Sequence, residues 1–399
     1  MKVVQINTFS YKAAGNIMMN LHRALLNKGV DSYVVWGRGR KAQNEHEYYM
    51  DDDLGVKIHG AYTRLTDKTG FASVSATRKL LKWIDDINPD IIHLHCIHGY
   101  YINIELLFNY IKKNNIRVVW TQHDCWAFTG HCAYFDACGC EKWKTGCYAC
   151  EQIHTYPISR FKDNSKWNWN RKRELFSNLD MTIVVPSKWL ANTVKQSFIG
   201  MYPIKTIYNG IDTSIFKLLK SDFKYKYGIG NRRIILGVAG EWTERKGLKD
   251  FIKLNDLIDK SKYIIVIVGV TKKQVKNLSK DMILINRTNK LEELIEIYSA
   301  ADVYFNPTYE DNFPTTNLEA IACNTYVITY NTGGCSEEVD ENTGCIVEKG
   351  NLDEVLNILY RNDIYNKFDN KKHFKFSTQN MIDSYIKLYN EIYMQDRSS

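Results

Sequence analysis

Residues 306–323 hold two carboxylates whose spacing suits a shared ligand. Asp311 and Glu319 have seven residues between them, with Asp311 in a predicted loop and Glu319 at the start of the helix that follows. The free N–H groups and the positive dipole end of a helix start suit a phosphate. Residues 316–319 also fit a capping box, in which Glu319 only caps its helix. The pattern alone leaves both interpretations open.

The cysteines form a second candidate site, since six of the ten lie between positions 125 and 150. A C-x-x-C pair with two further thiols upstream suits a tetrahedral zinc ion, and a reducing compartment favours zinc over disulfides. A redox pair, or thiols buried as small hydrophobes, are the alternatives. We predict a structural zinc with Cys138 as a spare thiol and with the ligands Cys132, Cys140, Cys147 and Cys150.

Histidines cluster around the ends of two predicted strands, 90–95 and 116–120. Core packing explains His93, which lies within the first strand. His98 follows that strand, and we expect it on the acceptor side of an active site. His123 follows the second strand, where a role in an active-site cleft competes with that of a histidine whose hydrogen bonds are satisfied within the protein.

Residues 165–173 interleave tryptophan with lysine and arginine. Binding of single-stranded nucleic acid is one interpretation of such a segment. A solvated, charged helix face is the commoner explanation. A peripheral contact with a membrane also fits, because Trp favours the interface and basic residues favour anionic lipids.

Composition places the chain among ordinary globular proteins. It has 399 residues, of which 44% are hydrophobic and 25% charged, which suggests two domains and excludes a disordered or collagen-like chain. The net charge of +8 suits anionic partners such as nucleotides, lipid diphosphates or an acidic membrane surface. The longest apolar run, 263–270, is shorter than the roughly 18 residues of a membrane helix. We therefore expect a cytoplasmic protein with reduced thiols.

Short, nearly continuous apolar runs alternate with helical patterns along the chain, which predicts buried parallel strands in α/β domains. The predicted strands are 2–7, 32–36, 90–95, 116–120, 181–185, 233–239, 263–269, 282–286, 302–306 and 326–330.

The alternation restarts near residue 210, which predicts two facing Rossmann-like, doubly wound domains with a central interdomain cleft. The first domain is 1–208 with a cysteine-rich insertion at 125–150, and the second is 209–378. A last helix, 379–399, packs back on the first domain. Since ligands of open α/β sheets bind at the carboxyl ends of the strands, the cleft is the expected active site.

Four motifs, in order along nearly the whole chain, resemble those of retaining nucleotide-sugar glycosyltransferases of family 4, which have the GT-B fold. Segment 306–323 resembles the paired-acid motif, 207–212 the interdomain motif, 244–248 the basic donor-phosphate motif and 332–337 a further loop. Segment 120–126 and the cysteine cluster are similar to the bacterial capsule and colanic-acid exopolysaccharide branch.

The resemblance implies a donor site in the second domain. Glu319 would hold the ribose hydroxyls and Asp311 would contact the donor sugar. Backbone N–H groups around Phe313 would approach the diphosphate. Lys246, with Arg245, would neutralise the charge that develops on the leaving nucleoside diphosphate.

The resemblance also implies roles near the first domain. His123 would touch the transferred sugar. Gly15, which has no Cβ, would let the first loop approach the substrates closely. Asn209, from the interdomain motif, joins the donor-binding set.

Three positions depart from the family pattern. Glu241 stands where the family has an arginine, and Arg245 or Arg287 is the candidate to compensate. Asn324 replaces a usual glycine, in a turn that Asn tolerates because it adopts the left-handed conformation more readily than most residues. Asp311 replaces the usual Glu and is one methylene shorter.

These observations predict a retaining glycosyltransferase that moves a sugar from a nucleoside diphosphate sugar to a lipid-linked glycan in surface polysaccharide biosynthesis. It would act at the inner face of the cell membrane, with no cofactor for catalysis and no nucleic-acid partner. The alternatives are a nucleotide-sugar epimerase of the GT-B fold and a zinc-containing nucleic-acid-binding protein.

Overall fold

The computed structural model describes residues 1–276, 278–361, 363–365 and 375–394. The chain divides into two compact units. The first unit is Met1–Tyr208 with Met381–Ser399, of which the described part ends at residue 394. The second unit is Asn209–Asn380.

The first unit is built on a parallel sheet. Its strands are β1 (Lys2–Phe9), β2 (Asp31–Arg38), β3 (Glu47–Tyr49), β4 (Ile91–Leu94), β5 (Arg117–Thr121), β6 (Met181–Val185) and β7 (Ile204–Thr206). Over the described residues these seven strands lie in the order β3-β2-β1-β4-β5-β6-β7, with every pairing parallel. The helices between them are α1 (Lys12–Asn27), α2 (Asp53–Thr66), α3 (Val74–Ile87), α4 (Ile104–Lys113), α5 (Ser165–Leu175) and α6 (Lys188–Lys195).

The second unit repeats this architecture. Its strands are β8 (Arg233–Val238), β9 (Tyr263–Val268), β10 (Ile283–Ile285), β11 (Val303–Asn306), β12 (Tyr326–Tyr330) and β13 (Gly344–Val347). Over the described residues the six strands lie in the order β10-β9-β8-β11-β12-β13, again all parallel. Its helices are α7 (Phe223–Lys226), α8 (Leu248–Leu257), α9 (Lys272–Val275), α10 (Leu291–Ala300), α11 (Thr315–Ala322) and α12 (Leu352–Leu359). The predicted fold class of two doubly wound parallel domains is confirmed in these two sheets.

The last helix, α13 (Thr378–Met394), carries its apolar stripe into the core of the first unit. Its buried residues pack with Val3 and Leu21, and they are Met381, Ile382, Tyr385, Leu388, Tyr389 and Ile392. The division between the units falls after Asn380, slightly later than the predicted 378, because the Thr378 N–H bonds to the Ile211 carbonyl at 2.8 Å and ties the helix start to the second unit.

Local sequence signals set the ends of the helices. Gly29, with φ +74°, ends α1, since a left-handed residue there favours glycine. Ser187 caps α6 by accepting a hydrogen bond from the Leu190 N–H. This helix ends at Lys195, and the Ser197 hydroxyl donates to the Val194 carbonyl at 2.8 Å, in competition with a further helical turn.

No helix among the described residues combines the length and the apolar character that crossing a membrane requires.

Candidate active site

The paired-acid segment leaves β11 and enters α11, and its loop carboxylate is held by two cations. The Asp311 Oδ2 lies 2.5 Å from the Lys246 Nζ and 3.6 Å from an Arg245 guanidinium nitrogen. The Arg245 guanidinium also donates a hydrogen bond to the Glu310 carbonyl. Lys246 and Arg245 lie in the short turn Glu244–Lys246, which is 65 residues away in sequence. The second unit therefore brings the paired-acid and basic motifs together. We call Asp311, Lys246 and Arg245 the acid–lysine cluster.

The electrostatics of the cluster keep Asp311 charged. Burial disfavours ionisation of this carboxyl, but the charges of Lys246 and Arg245 outweigh burial and hold the pKa of Asp311 below its ordinary value. The Asn312 N–H adds a hydrogen bond to Oδ1 at 3.0 Å. The carboxylate can thus accept hydrogen bonds from hydroxyl groups of a ligand, and the two cations can bind its negative charge.

Two glycines allow the loops of the cluster to approach each other. Gly247 has φ +72°, and a Cβ there would lie 2.1 Å from the Pro307 carbonyl oxygen. Gly333 has φ +52°, and a Cβ there would lie 1.8 Å from the Asp311 carbonyl oxygen. Any side chain at either position would push apart the backbone segments that place Lys246 and Asp311.

Glu319 lies in α11 but does not cap it. The helix begins at Thr315 with Pro314 at the N-cap, so the capping-box alternative is wrong. The Glu319 carboxylate instead accepts hydrogen bonds from the Tyr298 hydroxyl at 3.0 Å and the Thr315 hydroxyl at 3.3 Å. Burial raises the pKa of Glu319 to about 7, and these two hydrogen bonds only partly offset that rise.

A buried polar chain beneath the acid–lysine cluster was not predicted. The Asn306 side chain donates to the Asn317 Oδ1 at 2.9 Å, and the Asn317 amide donates to the Glu338 Oε2 at 2.6 Å. Burial raises the pKa of Glu338 well above its usual range. The predicted motif 332–337 ends one residue earlier, and spacing alone does not tell which of two adjacent glutamates is buried.

The remaining predicted donor residues have different surroundings. The Asn209 side chain donates to the Phe313 carbonyl at 3.5 Å, which connects the interdomain motif to the acid loop within the second unit. Phe313 is buried and packs its ring edge against Phe376. Arg287 is exposed and follows β10, an edge strand that β9 and β8 separate from β11. Glu241 is exposed beyond the end of β8.

Gly15 serves the fold of the first unit itself. It lies inside α1 and not in the preceding loop, and a Cβ there would lie 2.6 Å from the Phe9 carbonyl oxygen. Gly15 therefore allows α1 to pack against the end of β1, at a contact that has no room for a side chain. This placement corrects the expectation that Gly15 belongs to a loop.

His93, His95 and His123 lie side by side at the ends of β4 and β5, with ring centroids 4.1 Å and 5.3 Å apart in that order, and we call them the histidine row. The His93 ring bonds to the Tyr389 hydroxyl at 2.6 Å and the Thr121 hydroxyl at 2.7 Å, so His93 is a core residue. The His95 Nδ1 lies 3.0 Å from the His123 Nε2. Burial lowers the pKa of His123 to about 4, although the charge of Asp124 acts in the opposite direction. Burial also lowers the pKa of His93 and of His95, so all three imidazoles are neutral near pH 7.

His98 lies in the same small pocket as His123 and forms its own dyad. Its Nε2 is 2.8 Å from the Asp124 Oδ2, and its Nδ1 is 3.0 Å from the Tyr156 hydroxyl. Burial works against ionisation of Asp124, but His98 and the Trp126 N–H hold the pKa of its carboxyl below the ordinary value. Among the described residues, Cys96, His98 and Asp124 are the one group of three metal-ligating types whose ligand atoms all lie within 4.8 Å of one another.

The predicted zinc ligands share one segment without forming so tight a group. Cys132 is buried, and its thiol hydrogen-bonds that of Cys150. The Cys147 sulfur accepts the Gly130 N–H at 3.1 Å. Cys140 is half-buried, and Cys138 is exposed and donates to the Phe135 carbonyl at 3.2 Å.

The basic and aromatic segment 165–173 forms most of α5, and its side chains divide between interior and surface. Trp169 and Lys172 are buried, whereas Lys166 and Trp167 are exposed. Only part of the alternating basic and aromatic pattern is therefore presented to solvent.

Two doubly wound parallel domains, with a carboxylate–lysine cluster at the strand ends of the second, define a glycosyltransferase of the GT-B class. Residues 14–215 match the family described as Glycosyltransferase Family 4, and residues 220–365 match Glycosyl transferases group 1. The chain belongs to glycosyltransferase family 4, as its motifs predicted.

Individual relatives agree with this assignment. The chain is 24% identical to the putative colanic acid biosynthesis glycosyl transferase WcaC of Escherichia coli (strain K12), over 98% of this chain and 100% of the relative. Among solved structures, sucrose-phosphate synthase from Thermosynechococcus elongatus matches with a TM-score of 0.73 at 15% identity, covering 99% of both chains. Anabaena Alr3699/HepE in complex with UDP-glucose matches with a TM-score of 0.61 at 13% identity, covering 100% of both.

Proposed function

We propose that this protein is a retaining glycosyltransferase that moves a sugar from a nucleoside diphosphate sugar to a lipid-linked glycan in surface polysaccharide biosynthesis. The acid–lysine cluster is the observation that carries the donor assignment. Lys246 and Arg245 supply positive charge for a diphosphate, and Asp311 supplies an ionised acceptor for sugar hydroxyls. The colanic-acid relative and the UDP-glucose complex of a protein with the same fold support the same class of reaction.

The start of the helix that follows the acid loop also supports a nucleoside diphosphate sugar as the donor. Pro314 stands at the N-cap of α11, and its side chain has no group that could satisfy the first N–H groups of the helix. Free N–H groups at a helix start, together with the helix dipole, bind phosphate. Glu319, one turn into α11, is then available to the ribose hydroxyls of the same donor.

In the proposed reaction the bond between the sugar C1 and the diphosphate oxygen breaks as the acceptor oxygen bonds to C1 on the same face. The acceptor hydroxyl proton passes to the leaving diphosphate. Lys246 stabilises the charge that develops on that diphosphate, which is where a fixed cation lowers the barrier most. Retention follows because attack and departure share one face of the sugar ring.

The stereochemistry of the product tests this proposal. The purified protein is incubated with a panel of nucleotide sugars and a lipid-linked acceptor, and the new linkage is assigned by NMR. We expect an anomeric configuration equal to that of the donor. An inverted linkage would overturn retention, and conversion of the donor with no acceptor consumed would indicate an epimerase instead.

An exposed apolar stripe on α2 supports contact with an anionic membrane. Leu54, Ile58 and Leu65 repeat at helical spacing and are 69%, 59% and 53% exposed. Lys57 and Arg64 flank this stripe and are also exposed. A solvent-facing apolar stripe beside basic residues suits the headgroup region of an anionic bilayer.

A neighbouring segment extends this surface towards the acceptor-side histidine. The Arg160 N–H bonds to the Arg64 carbonyl at 2.9 Å, and Phe161 beside it is 74% exposed. Tyr156, from the same segment, hydrogen-bonds His98. A glycan whose lipid remains in the bilayer would thus enter the first unit close to His98.

Vesicle sedimentation tests the membrane contact. We expect the protein to pellet with phosphatidylglycerol vesicles and not with neutral phosphatidylcholine vesicles. The double variant Leu54→Glu/Ile58→Glu should lose about tenfold in vesicle affinity, since it removes two apolar side chains from the interface. Leu257→Glu, at a leucine of α8 that is 51% exposed, is the control. Equal loss in both variants, or binding to neutral vesicles alone, would contradict the proposal.

A further inference from the structure

Three metal-ligating side chains of the first unit meet where the loops after β4 and β5 lie side by side. The Cys96 sulfur, a ring nitrogen of His98 and a carboxylate oxygen of Asp124 all lie within 4.8 Å of one another. Asp124 is 26 residues from His98 in sequence, and the parallel pairing of β4 with β5 brings their loops together. A thiol, an imidazole and a carboxylate are the three kinds of side chain that bind zinc in proteins.

The hydrogen bonds around His98 direct the lone pair of its Nε2 at Asp124. The Tyr156 hydroxyl donates its one proton to the His98 carbonyl at 3.3 Å, so it accepts the His98 Nδ1–H at 3.0 Å. A neutral imidazole with its proton on Nδ1 has a bare Nε2, and this atom lies 2.8 Å from the Asp124 Oδ2. Two such acceptors repel each other unless a proton or a metal ion lies between them.

The position of Cys96 favours a metal ion over a proton. A proton between His98 and Asp124 needs only those two atoms, whereas a metal ion takes further ligands. The Cys96 thiol is close to both atoms, and it has no hydrogen-bond partner within the described part of the chain. Its backbone is fixed, because the Cys96 N–H donates to the Asn7 Oδ1 at 3.1 Å and its carbonyl accepts the Tyr101 hydroxyl at 2.9 Å.

The other two ligands are also oriented by contacts outside the group. Histidines that bind a metal donate their second ring N–H to a neighbouring oxygen, as His98 does to Tyr156. The Trp126 N–H donates to the Asp124 Oδ1 at 2.9 Å, which leaves Oδ2 for an ion. The three ligands line a cavity of about 10 Å³, roughly the space that one bound water needs.

We propose that the Cys96 thiolate, the His98 Nε2 and the Asp124 Oδ2 bind one zinc ion. Three protein ligands leave the fourth position of a tetrahedral ion open, and the small cavity suits a water molecule there. The Cys96 thiol would release its proton to solvent on binding. The distance from Nε2 to Oδ2 would widen from 2.8 Å to about 3.4 Å, as metal–ligand bonds of about 2.1 Å at tetrahedral angles require. The ion would tie the loops after β4 and β5 together.

The zinc content of the intact chain, loaded with zinc and freed of unbound ion, is the first measurement. We expect wild type to hold one zinc ion more per chain than Cys96→Ser or Asp124→Asn. The comparison uses a difference because the cysteine-rich insertion 125–150 has a predicted zinc ion of its own. Cys138→Ser, at an exposed thiol, is the control and should equal wild type. Wild-type zinc content in either ligand variant, or the same loss in Cys138→Ser, would overturn the proposal.

The second measurement uses the wild-type chain and so does not depend on a variant that folds. Peptide mapping after treatment with iodoacetamide gives the alkylation rate of each thiol. Zinc should lower the rate at Cys96 by about tenfold or more relative to protein treated with a chelator, since a metal-bound thiolate is a poorer nucleophile than a free one. The exposed Cys138 should react equally in both samples. A Cys96 rate that zinc leaves unchanged would overturn the proposal.

Tyr156→Phe tests the assignment of Nε2 as the ligand atom. It removes the hydroxyl that accepts the His98 Nδ1–H, and loss of such a partner lowers metal affinity by about 10–100-fold. The zinc concentration that protects Cys96 from alkylation measures this affinity. Tyr148→Phe, at an exposed tyrosine of the same unit, is the matched control and should behave as wild type. Unchanged protection in Tyr156→Phe would remove His98 from the ligands and overturn the site. Neither donor nor acceptor is present in these measurements, so they are independent of the proposed sugar transfer.

Discussion

The acid–lysine cluster of the second unit and the histidine row of the first unit occupy the same kind of place, the carboxyl ends of parallel strands, with opposite electrostatics. In the second unit, Asp311 stays ionised between Lys246 and Arg245. In the first unit, burial keeps His95 and His123 neutral, and the two rings share a hydrogen bond. Full charges suit a ligand whose own charge changes during reaction. Neutral donors and acceptors suit hydroxyl groups.

This contrast also predicts that substitutions affect stability differently in the two regions. Lys246 and Arg245 share the Asp311 carboxylate, so loss of Asp311 would leave two partly buried cations without the carboxylate that compensates them. The imidazoles carry no charge, so loss of one removes hydrogen bonds but leaves no buried charge without a partner. The predictions below test whether the charged region serves the leaving group and the neutral region serves the sugar.

Replacement of Lys246 by alanine should have the largest effect. We expect Lys246→Ala to lower kcat by about 10²–10³-fold with a smaller change in donor affinity, because the cation matters most as the diphosphate leaves. Steady-state kinetics with a nucleotide sugar measures both quantities. Lys249→Ala is the matched control, since Lys249 is exposed and pairs with Glu244. Wild-type turnover in Lys246→Ala would show that the charged region has no such role.

Glu319 tests the charged region through pH. Because burial raises the pKa of Glu319 from 4.5 to about 7, its contribution to stability is complete below pH 4.5 and is lost as pH rises through about 7. Glu319→Gln removes this titration. The free energy of unfolding of wild type relative to Glu319→Gln should therefore fall, by on the order of 3 kcal/mol, between pH 4.5 and pH 8.

Denaturant titrations across that pH range measure the difference, with Glu341→Gln, at an exposed glutamate, as the control that should show no trend. Glu319→Gln should also bind donor more weakly if Glu319 holds the ribose hydroxyls. A pH-independent difference would show that the carboxyl is not buried in solution. Unchanged donor affinity would remove Glu319 from the donor site.

The smallest expected effect separates two histidines of the neutral row. His123→Ala should lower turnover by about tenfold, equivalent to one lost hydrogen bond of about 1.4 kcal/mol, with little change in Tm. His93→Ala should instead destabilise the fold by about 1–3 kcal/mol, because it leaves the Tyr389 and Thr121 hydroxyls without their shared partner. Thermal unfolding and kinetics on both variants make the comparison. The reverse pattern would exchange the two roles.

The central strands of both sheets were predictable from sequence because each is a continuous apolar run buried on both faces. The strands that the sequence analysis missed, β3, β7 and β13, are all edge strands. The three-residue strands β3 and β7 mix polar with apolar residues, and the apolar β13 is only four residues long, so none of them shows a continuous apolar run of useful length. The left-handed turn predicted at Asn324 is confirmed by its φ of +66°. The sequence could predict this turn because it depends on local backbone conformation.

By itself, the sequence determined which segments form the two parallel sheets, where helices α1 and α6 are capped, and that Asp311 and Glu319 flank a helix start. These are local properties, set by periodicity, caps and spacing within a few residues. Only the tertiary structure decided that Lys246 meets Asp311, that His95 meets His123 and that Glu338 lies buried beneath the acid loop. Each of these contacts joins neighbouring loops or strand ends of a parallel sheet. The crossovers place such partners tens of residues apart in the chain, beyond the reach of any local pattern.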